Sequence, residues 1–150
     1  MTDTTATRRG VYPVALRDPY ADTATQPFWA AALEGRLLAS RCTKCGTHLL
    51  PPQPRCFKCL NDAFEWEELP GTGTIYSFTV VRHPLSPALA EVVPYVSAVV
   101  ELDGTQGAGA RLLANVIDAD PDAVAIGDRV RVVFERLSDT LALPRVAPLG

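Results

Sequence analysis

The sequence lacks much of what membranes, nucleic acids and stand-alone catalysis require. No apolar run approaches the ~20 residues that span a bilayer. No leader with a basic start, an apolar middle and a small-residue cleavage site opens it, so a cytoplasmic protein is expected. Basic residues are not in excess: 14 Lys and Arg face 17 Asp and Glu, for a net charge of −3 and a pI of about 5.3. Phosphate affinity comes chiefly from a basic excess, so this balance argues against a general nucleic-acid binder. Only two histidines, His48 and His83, occur in 150 residues. There is no Gly-x-Ser-x-Gly elbow, and Ser77 lies beside Phe78 in a strand-like run. Gly71-x-Gly73 leads into a strand pattern and not a helix, which excludes a phosphate-cradling glycine loop.

Cysteine is scarce as well, but its four copies are arranged. Cys42 and Cys45 form one Cys-x-x-Cys pair, Cys56 and Cys59 another, with the ten residues from Gly46 to Arg55 between them. Each such turn sets two sulfurs on one backbone knuckle, and two facing knuckles offer the four thiolates that tetrahedral zinc prefers. Disulfides are disfavoured in a cytosolic setting. A thioredoxin-like motif needs one copy at the start of a helix, whereas these two sit among Pro51, Pro52 and Pro54. The spacing therefore predicts a zinc ribbon. Four protein ligands close the coordination sphere, so the metal is structural and does no chemistry. All four thiols are then occupied, which removes the best nucleophile from the chain.

Four thiolates around a divalent cation leave a local charge of minus two. Arg41, Lys44, Arg55 and Lys58, beside or between the ligands, are placed to offset it, or are ordinary solvated surface. Gly46 permits the positive φ that turns backbone amides towards sulfur. His48 finds no vacancy in a set already complete.

The chain divides at composition breaks. Residues 1–20 are rich in Thr and Arg, carry Pro13 and Pro19, and read as a mobile arm. Residues 21–69 hold a helix from Gln26, with Pro27 in its first turn and Gly35 at its end, followed by the ribbon. At about nine residues that helix is unstable alone, so Phe28 and Trp29 must dock on the ribbon, the following domain or another chain. Arg36–Ser40 reads as a short strand, and Phe64 and Trp66 alternate with acids as a strand does. The break at Pro70-Gly71-x-Gly73 marks a second domain, 70–150.

That second half reads as all β: Ile75–Arg82, then Tyr95–Leu102, a hairpin loop Gly104–Gly109, then Arg111–Ile117. A short turn or helix from Asp120-Pro121 to Gly127, a strand carrying Val130, Val132 and Phe134, and a last segment Leu141–Val146 follow. Five strands with a longer link after Leu85 suggest a small Greek-key barrel of the OB type, with an SH3-like barrel or half a sandwich still open. The fold class is thus mainly β: an N-terminal helix and zinc ribbon, then a five-stranded OB-like barrel.

These residues together carry a resemblance. Phe28-Trp29, Gly35-x-Leu37, Arg41-Cys42-x-x-Cys45-Gly46, Pro51-Pro52, Cys56-x-x-Cys59 and Gly71-x-Gly73 into Tyr76-Ser77-Phe78-Thr79 are joined by Pro94-Tyr95-Val96, Val100-Glu101-Leu102, Asp120-Pro121-Asp122, Ile126-Gly127 and Leu143-Pro144. The series resembles the OB-fold family with an N-terminal rubredoxin-like zinc ribbon, catalogued as domain of unknown function number thirty-five, over Gln26 to Pro148. Two departures stand out: the loop Gly104–Gly109 replaces a tight acidic turn, and Val146 stands where an aromatic residue is usual.

The resemblance implies a non-catalytic accessory subunit in acyl-CoA metabolism. Its partner is a thiolase-like enzyme, whether acyltransferase, thiolase or steroid side-chain aldolase, in a hetero-oligomer whose acyl-CoA channel it helps shape. Zinc held by Cys42, Cys45, Cys56 and Cys59 is the expected cofactor, with acyl-CoA a ligand shared with the partner. Arg82 and His83, at the end of a strand, are candidates for a CoA phosphate or a partner carboxylate; Arg111 and Arg145 are weaker ones. The loop Pro84–Pro94 is apolar for an exposed connection, so Leu85, Leu89, Val92 and Val93, with Phe28 and Trp29, form the expected partner interface unless the loop folds over the barrel mouth. Val133 extends that face. The alternatives are a stand-alone acyl-CoA-binding protein or hydrolase and, further off, a single-stranded nucleic-acid module, which would need stacking aromatics on a basic groove.

Overall fold

The structure is a computed structural model that describes residues 23–107 and 110–150. The arm read over residues 1–20 lies outside them, as do Ala108 and Gly109 of the glycine loop. Helix α1 spans Gln26–Leu33 with Pro27 in its first turn. It ends where glycine predicts. Gly35 takes φ +75°, its N–H donates to the Ala32 carbonyl (3.0 Å), and the Arg36 N–H donates to Ala31 (2.9 Å), the paired bonds of a Schellman cap.

Three short strands follow in the ribbon: β1 Leu38–Cys42, β2 His48–Leu49 and β3 Phe64–Glu68. They form an antiparallel sheet in the order β2-β1-β3, with Ser40 opposite Leu49 and Cys42 opposite Phe64. The first strand therefore starts two residues later than its sequence suggests and runs into the first ligand, because β3 pairs with it as far as Cys42. Strand β2 is too short to leave a periodic signal.

The barrel comprises β4 Thr72–Val81, β5 Tyr95–Leu102, β6 Arg111–Val116, β7 Arg129–Arg136 and β8 Ala142–Pro148. Strand order is β4-β5-β6-β8-β7, closed on itself. A parallel pairing of β6 with β8 (Asn115 opposite Arg145) and an antiparallel one of β7 with β4 (Gly73 opposite Val130) complete the circuit. That crossover decides between the candidate β architectures in favour of the OB arrangement. It depends on which strands meet after the chain returns, information that no local pattern holds.

Gly73 lies inside β4, although the sequence reads it as part of a break. A Cβ there would stand 2.5 Å from the Glu101 carbonyl oxygen and 2.7 Å from Val100 Cγ1, so only glycine lets β5 approach. A register shift between Ile75 and Ser77 leaves Tyr76 as a bulge residue with its ring outside. Between Asp120 and Gly127 the chain makes turns without a helix: the Asp120 carboxylate accepts from Asp122 N–H (3.0 Å) and its carbonyl from Ala123 N–H (2.9 Å). Asp side chains commonly stabilise such turns at the expense of helix.

Ribbon and barrel share one core. Phe28, Leu37, Ala39, Leu50 and Leu69 pack in the same buried cluster as Ile75, Val96, Val100, Val130 and Val146. Leu50 also bridges Ala110 across the two halves. Helix α1 packs against β1, β7 and β8, which supplies the tertiary support that eight residues need. No helix among the described residues is long and apolar enough to cross a membrane.

Candidate metal centre and exposed surfaces

The two knuckles share one backbone plan. In the first, Cys42 N–H donates to Thr47 O (2.9 Å) and Gly46 N–H to Cys42 O (2.9 Å). In the second, Cys56 N–H donates to Asn61 O (2.8 Å) and Leu60 N–H to Cys56 O (2.9 Å). Each loop aims its two sulfurs at the other loop. The four Sγ atoms lie within 4.8 Å of one another, with Cys42–Cys59 and Cys45–Cys56 each at 3.6 Å. A tetrahedron of Zn–S bonds near 2.3 Å has edges of about 3.8 Å, so the sulfur set fits zinc. All four cysteines are free thiols; none forms a disulfide.

The thiols are electrically strained against one another. The hydroxyl and then the N–H of Thr47 pull the Cys45 thiol down to about 6. Burial pushes Cys42 up, but the N–H groups of Cys45 and Lys44 outweigh it and its pKa falls. At Cys59 the Asn61 N–H lowers the value, yet burial and sulfur contacts win and push it up to about 12. Four thiols this close cannot all ionise without a cation to offset their mutual repulsion, which is what a bound metal supplies. Cys45 Sγ lies 3.3 Å from the Thr47 hydroxyl, and Asn61 Nδ2 donates to Cys42 Sγ at 3.5 Å. These are the groups placed to orient ligands around the ion.

The basic residues near the cysteines serve different ends. Arg41 pairs with Glu65 (2.7 Å) and Glu67 (3.5 Å) on β3, so it braces the sheet. Lys44, Arg55 and Lys58 are exposed. His48 is 2% exposed and no ligand. Its Nδ1 accepts from the Gln106 N–H (2.9 Å), its backbone N–H donates to Gln106 O (3.0 Å), and Nε2 lies 3.3 Å from the Glu67 carboxylate, out of hydrogen-bond alignment. The glycine loop, expected as a hairpin connection, is also fastened to the ribbon through Gln106 and His48. Nothing in the local sequence links positions 48 and 106.

Other residues singled out from the sequence are scattered. Arg82 pairs with Asp122, both side chains in water, and His83 is exposed beside it; neither lines a cavity described for this chain. Arg145 is buried and bonded through Nε to Glu135 (2.8 Å), a structural pair. Phe28 and Leu89 are buried within this chain, although Phe28 still forms part of the wall of the cavity beside α1. Their apolar area is already used, Phe28 in the shared core and Leu89 beneath the 3₁₀ turn Pro87–Leu89. Leu85 is 85% exposed, while Trp29, Val92, Val93 and Val133 are half-buried.

Sequence reading missed two exposed apolar sites. Phe57 and Leu60 project from the second knuckle, and Tyr76 and Leu113 lie on the barrel exterior. Leu113 falls in an alternating run, so only the strand's facing, set by its neighbours, reveals it. Two cavities among the described residues flank the barrel. One of about 490 Å³ lies at a barrel end between Ile75, Val116, Val124, Asp128, Val130 and Pro148. The other, about 250 Å³, lies between α1 and β6.

Comparison with known proteins places both halves. A family model described as the ChsH2 rubredoxin-like zinc ribbon domain matches residues 29–65, and one described as the ChsH2 C-terminal OB-fold domain matches residues 66–135. A probable enoyl-CoA hydratase alpha subunit of Thermomonospora curvata is 38% identical over 139 residues, 91% of this chain but 41% of the relative. The chain thus spans about two fifths of that relative's length. A DUF35 domain-containing scaffold protein of Methanothermobacter thermautotrophicus is 35% identical over 105 residues, 69% of this chain and 74% of the relative. Among solved structures, a chain of the Ltp2-ChsH2(DUF35) aldolase superposes with a TM-score of 0.75 at 34% identity, covering 88% of this chain and 99% of that one.

Proposed function

Because this chain belongs to the DUF35 scaffold family, with its ChsH2-type zinc ribbon and OB-fold domains, we propose that it is a non-catalytic accessory subunit of a thiolase-like enzyme acting on acyl-CoA. The observation that carries the reading is the near-complete superposition on a chain of a two-protein aldolase. The site chemistry supports it. The four thiols face one another around a metal site, and the histidines are a buried loop clamp and an exposed strand end. That leaves no matched nucleophile and base within reach of each other among the described residues. In this reading zinc fixes the ribbon, the ribbon and α1 fix one side of the barrel, and the barrel presents a rigid exterior to the catalytic partner. Acyl-CoA then meets this chain only at the partner's channel.

The test uses the zinc-loaded chain alone and co-expressed with a thiolase-like enzyme of the same source. The expected outcome is no turnover of acetyl-CoA or octanoyl-CoA by the free chain and a stable stoichiometric complex on gel filtration with the partner. Turnover by the free chain, or tight calorimetric binding of octanoyl-CoA without a partner, overturns the proposal in favour of an independent hydrolase or carrier.

A further inference from the structure

The cavity between α1, the Leu50–Pro52 segment and β6 has a cation at its edge. Its walls include Phe28, Trp29, Leu50, Pro51, Pro52, Leu113 and Pro144, and Arg111 is the one charged residue of the lining. The walls are stiff: three are prolines, and Trp29 is held edge-on by Phe28 with ring centroids 5.0 Å apart. Leu113 is 69% exposed in mid-strand, although the strand's other face is buried.

Arg111 is the unusual member. Its guanidinium stacks 3.7 Å from the Tyr76 ring centroid, and its Nε is sealed from water with no hydrogen-bond partner. Glu101 stands opposite in the β5–β6 register but makes no ion pair with it, whereas Arg36, Arg41, Arg129 and Arg145 each hold a carboxylate. A buried donor left unpaired is costly and calls for an explanation. The stacking holds the guanidinium at the groove with no carboxylate in direct contact with it.

We infer that this groove seats an apolar side chain of a partner protein, with a carboxylate of the same partner segment bound by Arg111. Size and charge decide the occupant. Small-molecule sites enclose roughly 300–1,000 Å³, and a cavity of about 250 Å³ holds one leucine or aromatic side chain, not an acyl-CoA. A CoA would bring several phosphate charges, and the lining supplies one cation. A rigid apolar pocket with Trp and Arg at its rim has the make-up of an interface anchor site. The partner's identity rests on the accessory-subunit reading; the groove's chemistry does not.

Two measurements on the full zinc-loaded chain separate these. First, 3-phenylpropionate and its neutral amide are titrated while the Trp29 indole and Leu113 amide resonances are followed. The acid is expected to bind at least about fivefold more tightly than the amide, and Arg111→Gln is expected to erase that preference. Equal binding of acid and amide overturns the inference, as do contacts from Trp29 to residues 1–22 in the free chain, which would put its own segment in the groove. Second, Leu113→Asp and Arg111→Glu are expected to weaken the complex with the thiolase-like partner at least about tenfold, and unchanged affinity overturns the inference while leaving the function intact. Leu113, already exposed, carries this arm if the Arg111 variant loses its cooperative melt. Self-association abolished by Leu113→Asp would place a second copy there instead. If no thiolase-like enzyme binds the wild-type chain, the accessory reading fails and the first measurement alone decides the groove.

Discussion

Gly46 and Leu60 hold equivalent places in the two cysteine knuckles. Each N–H donates at 2.9 Å to the carbonyl of the cysteine four residues earlier, and each backbone is left-handed, at φ +74° and +60°. The conformation suits glycine, and leucine tolerates it only with strain. Leu60 gains no packing in return, since its side chain is 69% exposed. Leu60→Asn is therefore expected to stabilise the zinc-loaded chain by about 0.5–1 kcal/mol, because Asn visits this region readily. Gly46→Ala should do the reverse by about 1 kcal/mol or more, since its Cβ would also stand 3.0 Å from Gln106 Oε1. Thermal melts of the two variants, moving in opposite directions, check the pair.

Removing a ligand tests the metal. Binding of a structural zinc is worth about 10–16 kcal/mol in small peptides, on the scale of the roughly 5–15 kcal/mol that holds a domain together. Cys42→Ser is expected to lose zinc and the cooperative melt of the ribbon. Elemental analysis with calorimetry reads both, and an unchanged metal content with an unchanged melt would contradict the assignment.

His48 should separate from the ligands in the same assays. His48→Leu keeps an apolar volume in a buried site but leaves the Gln106 N–H without its acceptor. The expected loss is about 1–3 kcal/mol, with zinc stoichiometry unchanged. Loss of metal in this variant would show that the histidine serves the site directly.

Asp103 gives a pH signature. Hydrogen bonds from Arg129 and then Thr72 hold its carboxyl below the usual carboxylate range. A carboxyl with a lowered folded-state pKa adds stability above its unfolded value, near 3.9, and loses it as pH falls through the folded value. Both partners are partly exposed (47% and 36%), so the contribution is at most about 1 kcal/mol. Urea midpoints of wild type and Asp103→Asn, compared at each pH from 7 to 3, should differ at neutral pH, with the gap shrinking as the pH falls below the unfolded value. Taking the difference cancels the acid sensitivity of the metal site, and a gap that stays undiminished or widens as the pH falls to 3 would refute the sign.

What could be read in advance was local. Cys42, Cys45, Cys56 and Cys59 announce a metal because two short spacings fix which sulfurs share a knuckle. Gly35 announces a helix end because one backbone conformation is needed there. The β5 boundaries Tyr95–Leu102 were legible because alternation survives wherever one face is buried. The Asp120–Gly127 connector was ambiguous because Asp-Pro starts turns and helices alike.

What could not be read was pairwise across the fold. The parallel β6–β8 contact that closes the barrel, the His48–Gln106 clamp and the approach of Glu101 to Gly73 join residues that share no local signal. The candidate interface moved for the same reason. Phe28 and Leu89 look like Leu113 in a sequence, but the fold buries the first two and exposes the third. The sequence by itself determined the four-thiol site, the helix end and the β character, since these follow from spacing and backbone preference. Only the tertiary structure decided which apolar side chains remained outside and that Arg111 meets an aromatic ring in place of a carboxylate, because exposure and pairing are set by neighbours that the chain brings together from afar.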